Sequence, residues 1–324
     1  MKHRTSLYPL QFDPLYKDRI WGGTKLKTCL GKDIPSDTIG ESWEISTVDS
    51  EISVVNKGTL KGALLTDLLA EYGEEILGSR LYGQFHNKFP LLFKFLDAKE
   101  DLSIQLHPND ALAMERHNSL GKTEMWYIMQ ADPNAAIIVG FNQDVCPEDY
   151  LHHLENKTLP KILKRIPVKK GEVYFLETGT IHAIGSGILI AEIQQTSDIT
   201  YRIYDWDRVD SQGNKRELHV DLALEAINYK EVDGKRDYQM ALNTSNAIVD
   251  CPFFTTNIIL LDGAYDAFKT IDCFRVFLCT EGSFELLYNG EKYVYQKGDT
   301  VLLPACLGAY ALKGKADVLE IYIS

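Results

Sequence analysis

The sequence predicts a mainly β protein: two stacked barrels or jelly-roll units, with a few helices packed on the first. Most of the chain reads as short β-branched and aromatic runs punctuated by turn residues, and helical spacing interrupts that rhythm only three times. A lysine-glycine-acid-strand unit also occurs twice, as Gly171-Glu-Val-Tyr-Phe-Leu and as Gly298-Asp-Thr-Val-Leu-Leu, the pattern of a duplicated β unit. At 324 residues the chain is long enough for a large single fold or two compact units. The two units are expected over residues 1–236 and 237–324.

In chain order, residues 60–77 come first among the helices, because Leu65, Leu68, Leu69, Tyr72 and Ile76 recur at three and four residues. Residues 89–96, 123–129, 136–140, 173–176, 188–193 and 199–204 are strand candidates, each rich in β-branched and aromatic side chains. Between them, Pro147 opens a second helix through Tyr150, Leu151 and Leu154, which Pro160 ends or restarts. A third helix is expected over 219–229, with Leu224 and Ile227 as its apolar stripe. The text then turns polar over 230–239, the linker candidate, and strands resume from Cys251 to the end.

Composition excludes several function classes. Lys plus Arg number 34 against 46 Asp plus Glu, a net charge of −12, which argues against a general binder of nucleic acid or anionic membrane. An anionic substrate would need a local basic pocket. No apolar run approaches the roughly 20 residues of a membrane span. The start, MKHRTSLYPLQFDPLYKDR, carries charge with no apolar stretch behind it, so no signal peptide is expected. Six scattered cysteines without a C-x-x-C pair suit a reducing compartment, and the expected location is cytoplasmic. There is no G-x-G-x-x-G after a strand, no P-loop and no G-x-S-x-G, so dinucleotide, nucleotide and serine-hydrolase chemistries lack support.

Chemistry concentrates in a few places. In Leu102-Ser-Ile-Gln-Leu-His-Pro108, strand alternation puts Ser103, Gln105 and His107 on one face and Ile104 and Leu106 on the other. Glu124 opens a later strand, and His182 follows the turn at 177–180. Singly, each has a bland reading: a hydrogen-bonded structural histidine, a solvated strand-end carboxylate, a turn amide. Together, two neutral imidazoles, a carboxylate and an amide oxygen suit a borderline divalent cation such as Zn²⁺, with positions left open. The repeat adds a contrast, because His182 stands eleven residues after Gly171 while Ala309 stands eleven after Gly298.

The stretch Gly171-x5-Glu-x-Gly-x2-His182 resembles the second cupin motif, with Glu177 where proline is usual and Ser186 where asparagine is usual. More specific is the succession Arg19-Ile-Trp-Gly-Gly23, Gly40-Glu-Ser-Trp-Glu-Ile-Ser46, Phe89-Pro-Leu-Leu-Phe-Lys-Phe-Leu-Asp-Ala98, Leu102-Ser-Ile-Gln-Leu-His-Pro108, Lys122-Thr-Glu-Met-Trp-Tyr127, Thr180-Ile-His-Ala183 and Thr200-Tyr-Arg-Ile-Tyr-Asp-Trp206. In order and content it resembles type I mannose-6-phosphate isomerase in its short bacterial form, over residues 19–206. The last third resembles a degenerate cupin. The resemblance implies two cupin-type jelly rolls, the second without metal ligands. It places the zinc ligands on Gln105, His107, Glu124 and His182 and the catalytic arginine on Arg202. Lys122-Thr-Glu124 stands where the family writes Lys-Pro-Glu, which leaves both functional side chains and alters only the turn.

The residues themselves agree. Alternation puts Thr200, Arg202 and Tyr204 on one strand face, and Lys94 lies inside the apolar run Leu91-Leu-Phe-Lys-Phe-Leu, where a charge needs a partner or an aqueous cavity. Lys94, Lys122 and Arg202 would form the basic pocket that a sugar phosphate requires. Ser103, Lys94 and Gln105 are the candidate substrate contacts, and Arg202 and Lys122 the candidate catalytic groups. Glu41 and Glu44 are weaker candidates. Trp126 reads as core, Trp21 and Trp43 as core or pocket wall, and His86, His117, His152, His153 and His219 as structural.

What the resemblance implies is interconversion of mannose 6-phosphate and fructose 6-phosphate through an enediol, with one Zn²⁺ per chain. The partners are a small sugar phosphate, with no nucleic acid and no membrane. The proton carrier stays open between Lys122, Glu124 and a metal-bound water. Two rivals would use the same residues otherwise: an O₂-consuming Fe²⁺ cupin enzyme, and a sugar-binding cupin without turnover. The joint presence of Lys122, Glu124 and Arg202 argues against the second.

Overall fold

The computed structural model describes residues 6–209, 212–267 and 272–324; the charged N-terminal residues 1–5 and part of the strand-rich C-terminal stretch, 268–271, lie outside them. The fold is mainly β, and among the described residues the strands of its sheets pair antiparallel. One sheet of seven strands runs in the order Leu15–Gly23, Ile39–Ile45, Leu91–Ala98, Ile188–Gln195, Glu124–Ala131, Val173–Leu176, Lys235–Arg236. A second sheet of five runs Tyr201–Tyr204, Ile104–Leu106, His182–Ile184, Ala136–Phe141, Leu163–Pro167. Leu96, Trp126, Ile128 and Ile190 from the first sheet meet Ile137, Val139 and Ile184 from the second in a shared buried cluster. The two sheets therefore enclose one core between them.

The opposite face of the seven-stranded sheet is also apolar. Phe93, Phe95, Met125, Tyr127 and Ile193 pack there with Ile258, Val276 and Ile321 of a third sheet, built from Ser245–Asp250 to Tyr310–Tyr322. This is why Leu91–Ala98 and Ile188–Gln195 are buried along their whole length rather than on alternate residues. The third sheet curls around an interior of its own, with Leu261, Phe277, Leu286, Val301 and Val318. The outer face of the five-stranded sheet is covered by the helices Pro147–Glu155 and Val220–Ala226.

Several expected boundaries move. The helix expected over 60–77 is Leu65–Leu77, because Gly62 sits at φ 86 in a turn and Leu64 is extended, so this helix cannot begin before Leu65; a helix that periodicity did not single out, Lys25–Leu30, precedes it. The helix expected over 219–229 is the shorter Val220–Ala226, ended by the extended Ile227. The polar stretch 230–239 is not all linker: Lys235 and Arg236 pair with Tyr174 and Val173 as the last strand of the first sheet. Charged side chains are what an exposed edge strand tolerates.

The first sheet also begins with two strands that periodicity did not single out, and glycines explain them. A Cβ on Gly22 would stand 2.1 Å from Thr38 O, and one on Gly40 would stand 2.5 Å from the Trp21 ring. The Arg19–Gly23 and Gly40–Ser46 motifs are thus two backbones packed too closely for side chains at those points. Their approach places Arg19, Trp21, Glu41 and Trp43 around one cavity.

Candidate metal centre

Register assembles the site. In the five-stranded sheet Arg202, Gln105, His182 and Val139 lie directly abreast on four successive strands. His107 follows the end of the Ile104–Leu106 strand, and from the facing sheet Glu124 arrives at the start of its strand, abreast of Leu176 and Gln194. His107 Nε2 lies 3.5 Å from Glu124 Oε2, and His182 Nε2 lies 3.5 Å from Glu124 Oε1. All three side chains are buried, and their candidate ligand atoms fall within 4.8 Å of one another. Among the described residues this is the one such group of histidine, cysteine and carboxylate side chains.

The surroundings leave both imidazoles able to act as ligands. His107 Nδ1 sits 2.8 Å from Ile199 O and His182 Nδ1 sits 2.9 Å from Thr180 O. A carbonyl only accepts, so each Nδ1 carries the proton and each Nε2 turns a lone pair toward Glu124. Burial, joined by the Lys122 ammonium, keeps both rings neutral: His182 is pushed down to about 4 and His107 well below its usual value. Burial and then the Glu192 carboxylate push Glu124 up to about 7. Its Oε1 is buried without a hydrogen-bond donor. A divalent cation among these three residues would satisfy that oxygen and favour the ionised carboxylate, so the donor set fits a metal.

The centre adjoins a cavity of about 700 Å³ lined by Lys94, Ser103, Gln105, Lys122, His182 and Arg202 among others. His107 and Glu124 lie behind Lys122, whose Nζ is 3.1 Å from His107 Nε2 and in close contact with Glu124 Oε2. Lys122 is not on the strand that begins at Glu124, yet both side chains reach the same point. Gln105 places Nε2 3.5 Å from His182 Nε2, while its Oε1 accepts from the Ser103 hydroxyl at 3.2 Å. Arg202 donates from Nε to Ser103 Oγ at 3.2 Å.

Sequence reasoning missed Glu192. Across the first sheet Trp43, Lys94, Glu192, Trp126 and Tyr174 stand abreast on five neighbouring strands, so their side chains share the inner face. Glu192 Oε1 lies 3.3 Å from Lys94 Nζ and 3.7 Å from Lys122 Nζ, and Glu192 Oε2 accepts from Trp126 Nε1 at 2.9 Å. The signal was present: a carboxylate inside the apolar run 188–193 raises the same question as Lys94 does in its own run. Trp126, read from alternation as core, also walls the cavity and meets the His182 ring edge-on at 5.4 Å between centroids.

Glu41 joins this network and Glu44 does not. Glu41 accepts from Arg19 Nε and from Trp43 Nε1, both at 2.6 Å, and lies 3.9 Å from Lys94 Nζ. Burial opposes its charge, but Lys94 and Arg19 prevail and hold its pKa down at about 2. Glu44 turns away to Lys32 and Ser42. Around Lys122 burial disfavours the ammonium, but Glu124 and Glu192 outweigh it, so its pKa lies above the usual lysine value. The same lysine and Lys94 outweigh burial at Glu192 and keep that carboxylate ionised. The pocket thus holds paired, ionised groups of both signs in little water, the setting in which charge acts most strongly.

Residues 9–143 match the family model described as phosphomannose isomerase type I, catalytic domain, and residues 243–323 match that of the mannose-6-phosphate isomerase cupin domain. The chain is 37% identical over 320 residues to mannose-6-phosphate isomerase ManA of Bacillus subtilis, covering 97% of this chain and 99% of that one. It is 36% identical over 314 residues to mannose-6-phosphate isomerase of Streptococcus mutans, covering 96% and 97%. The solved structure of the mannose 6-phosphate isomerase from Bacillus subtilis is similar at a TM-score of 0.89 and 35% identity, over 98% of this chain and 100% of that one.

Proposed function

The chain belongs to the type I phosphomannose isomerase family, and we propose that it interconverts mannose 6-phosphate and fructose 6-phosphate through an enediol, using one Zn²⁺ per chain. The observation that carries this reading is the buried His107–Glu124–His182 group, with its unpartnered carboxylate oxygen, opening onto a cavity that holds Lys94, Lys122 and Arg202. Gln105 is the fourth ligand in this reading. Its amide is symmetric in shape, so turning it over presents the oxygen to the centre. When bound, Zn²⁺ supplies a fixed positive charge that orients the sugar oxygens and favours the enediolate.

The remaining work falls to the chain. Ser103 and Lys94 contact the substrate. The Arg202 guanidinium and the Lys122 ammonium face the negative charge that develops as a proton leaves C2. Glu192 is an ionised carboxylate in the pocket outside the ligand set, which suits it to carry that proton from C2 to C1. Glu124, as a ligand, is less free to do so. We also assign the metal site to the unit spanning 1–236 and a supporting role to 237–324. The location we assign is cytoplasmic, where exposed thiols such as Cys146 and Cys306 stay reduced.

Turnover in D₂O tests the enediol. Exchange at the base is expected to place solvent deuterium on C1 of fructose 6-phosphate, read by mass spectrometry after many turnovers. A product free of solvent deuterium at equilibrium would point to direct hydrogen transfer instead.

A further inference from the structure

Arg202 lies on the outermost strand of the five-stranded sheet, so one side of its backbone faces the Ile104–Leu106 strand and the other has no strand to meet. A single residue closes that open side. His219 donates its backbone N–H to Arg202 O at 2.7 Å and accepts the Arg202 N–H on Nδ1 at 3.1 Å. Two residues earlier, Glu217 O accepts from Arg202 Nη1 at 3.0 Å. The arginine that reaches into the pocket is therefore gripped at backbone and side chain by one short segment.

His219 does this at the expense of another role. It occupies the N-cap of the Val220–Ala226 helix, a position favoured by Ser, Thr, Asp and Asn because their side chains accept a free helix N–H. The His219 side chain makes no capping bond. It turns to the strand instead, and a local preference broken in favour of one specific contact marks the contact as the one that matters. We propose that His219 is the positioning residue for Arg202, holding the guanidinium at the pocket through this two-bond clasp. The inference rests on the reading of Arg202 as a group that acts on the sugar phosphate.

The clasp dictates a protonation state. A backbone N–H only donates, so Nδ1 of His219 is bare and the proton sits on Nε2. Around the ring stand Tyr201 at 6.2 Å between centroids, His117 bonded to the Tyr201 hydroxyl at 2.9 Å, and Glu217, with Oε2 4.0 Å from Nε2. Burial lowers the imidazole pKa; Glu217 works against that, while Arg202 and His117 work with it. The neutral ring is consistent with an acceptor at Nδ1.

Two variants of the zinc-loaded full chain, assayed on mannose 6-phosphate, separate positioning from mere structure. His219→Ala removes the acceptor and is expected to lower kcat by about tenfold, since loss of orientation at a reacting group falls on the chemical step. KM and zinc content should stay within about twofold, because neither ligands nor the proposed substrate contacts are touched. In His219→Asn the side-chain oxygen is attached to Cγ as Nδ1 is, so in the orientation the histidine uses it accepts the Arg202 N–H. That variant should regain kcat to within about threefold of wild type. Equal losses in both variants, or none in either, would overturn the proposal. An independent readout is the ¹⁵N spectrum of the histidine side chains, with His219 assigned from its absence in His219→Asn. Protonated Nε2 with bare Nδ1 is expected, and the opposite tautomer would overturn the clasp without reference to turnover. A wild-type protein inactive on mannose 6-phosphate would strike at the isomerase reading, and the tautomer would still decide the clasp.

Discussion

Replacing His182 with alanine is expected to remove both bound metal and turnover. Mutating a residue that merely orients a metal ligand typically costs 10–100-fold in affinity, so deleting a ligand is expected to cost more than about 100-fold. The setting makes this loss hard to repair. His182 is almost fully buried and held between Thr180 O and Glu124, with the Trp126 ring beside it, and a neutral amide such as Gln105 is a weaker donor than the imidazole that is lost. Its removal also takes away the imidazole that faces Glu124 Oε1, a buried oxygen without a hydrogen-bond donor. Zinc per chain, measured by atomic emission, should fall from about one to near zero together with kcat. A His182→Ala protein that folds and keeps its full zinc content would refute the ligand assignment.

Arg202→Ala should show the opposite division: metal retained, chemistry lost. Arg202 touches Ser103, Glu217 and His219, none of which belongs to the His107–Glu124–His182 group. Removing one preorganised positive donor from a developing oxyanion typically costs about 10²–10³ in kcat, and that is the loss expected here. Arg202→Lys should recover only part of it, because an ammonium cannot reproduce the planar fork that engages Ser103 and Glu217 O at once. Steady-state kinetics beside zinc analysis checks both. An Arg202→Ala variant with near-normal kcat would remove the residue from the mechanism, whereas one that loses zinc would move it into the metal centre.

How far the site was legible from sequence depends on which distances are local. Alternation put Ser103, Gln105 and His107 on a common face, and the structure brings all three to the site, although only Gln105 lies within the short Ile104–Leu106 strand and Ser103 and His107 flank its ends. Alternation cannot state which strand lies beside which. That Arg202, Gln105 and His182 stand abreast is a matter of register between strands far apart in the chain, and here the family resemblance supplied what periodicity could not. Lys122 shows the limit again: it lies before its strand and reaches Glu124 from an irregular segment. Glu192 was readable in principle, as a charge in an apolar run, but its meaning depends on Lys94 and Trp126 lying on adjacent strands. The first-sheet strands at 15–23 and 39–45 were obscured for another reason. Their glycines look like turn punctuation, while in the fold they permit a close approach of two backbones.

The central claim, a zinc-dependent isomerase site between the two facing sheets, is tested most directly by one coupled assay on mannose 6-phosphate. The protein is measured as isolated, after chelation, and after Zn²⁺ is restored. Fructose 6-phosphate formation that disappears with the chelator and returns with zinc is the predicted result. A zinc-restored protein that binds metal yet forms no fructose 6-phosphate would contradict it.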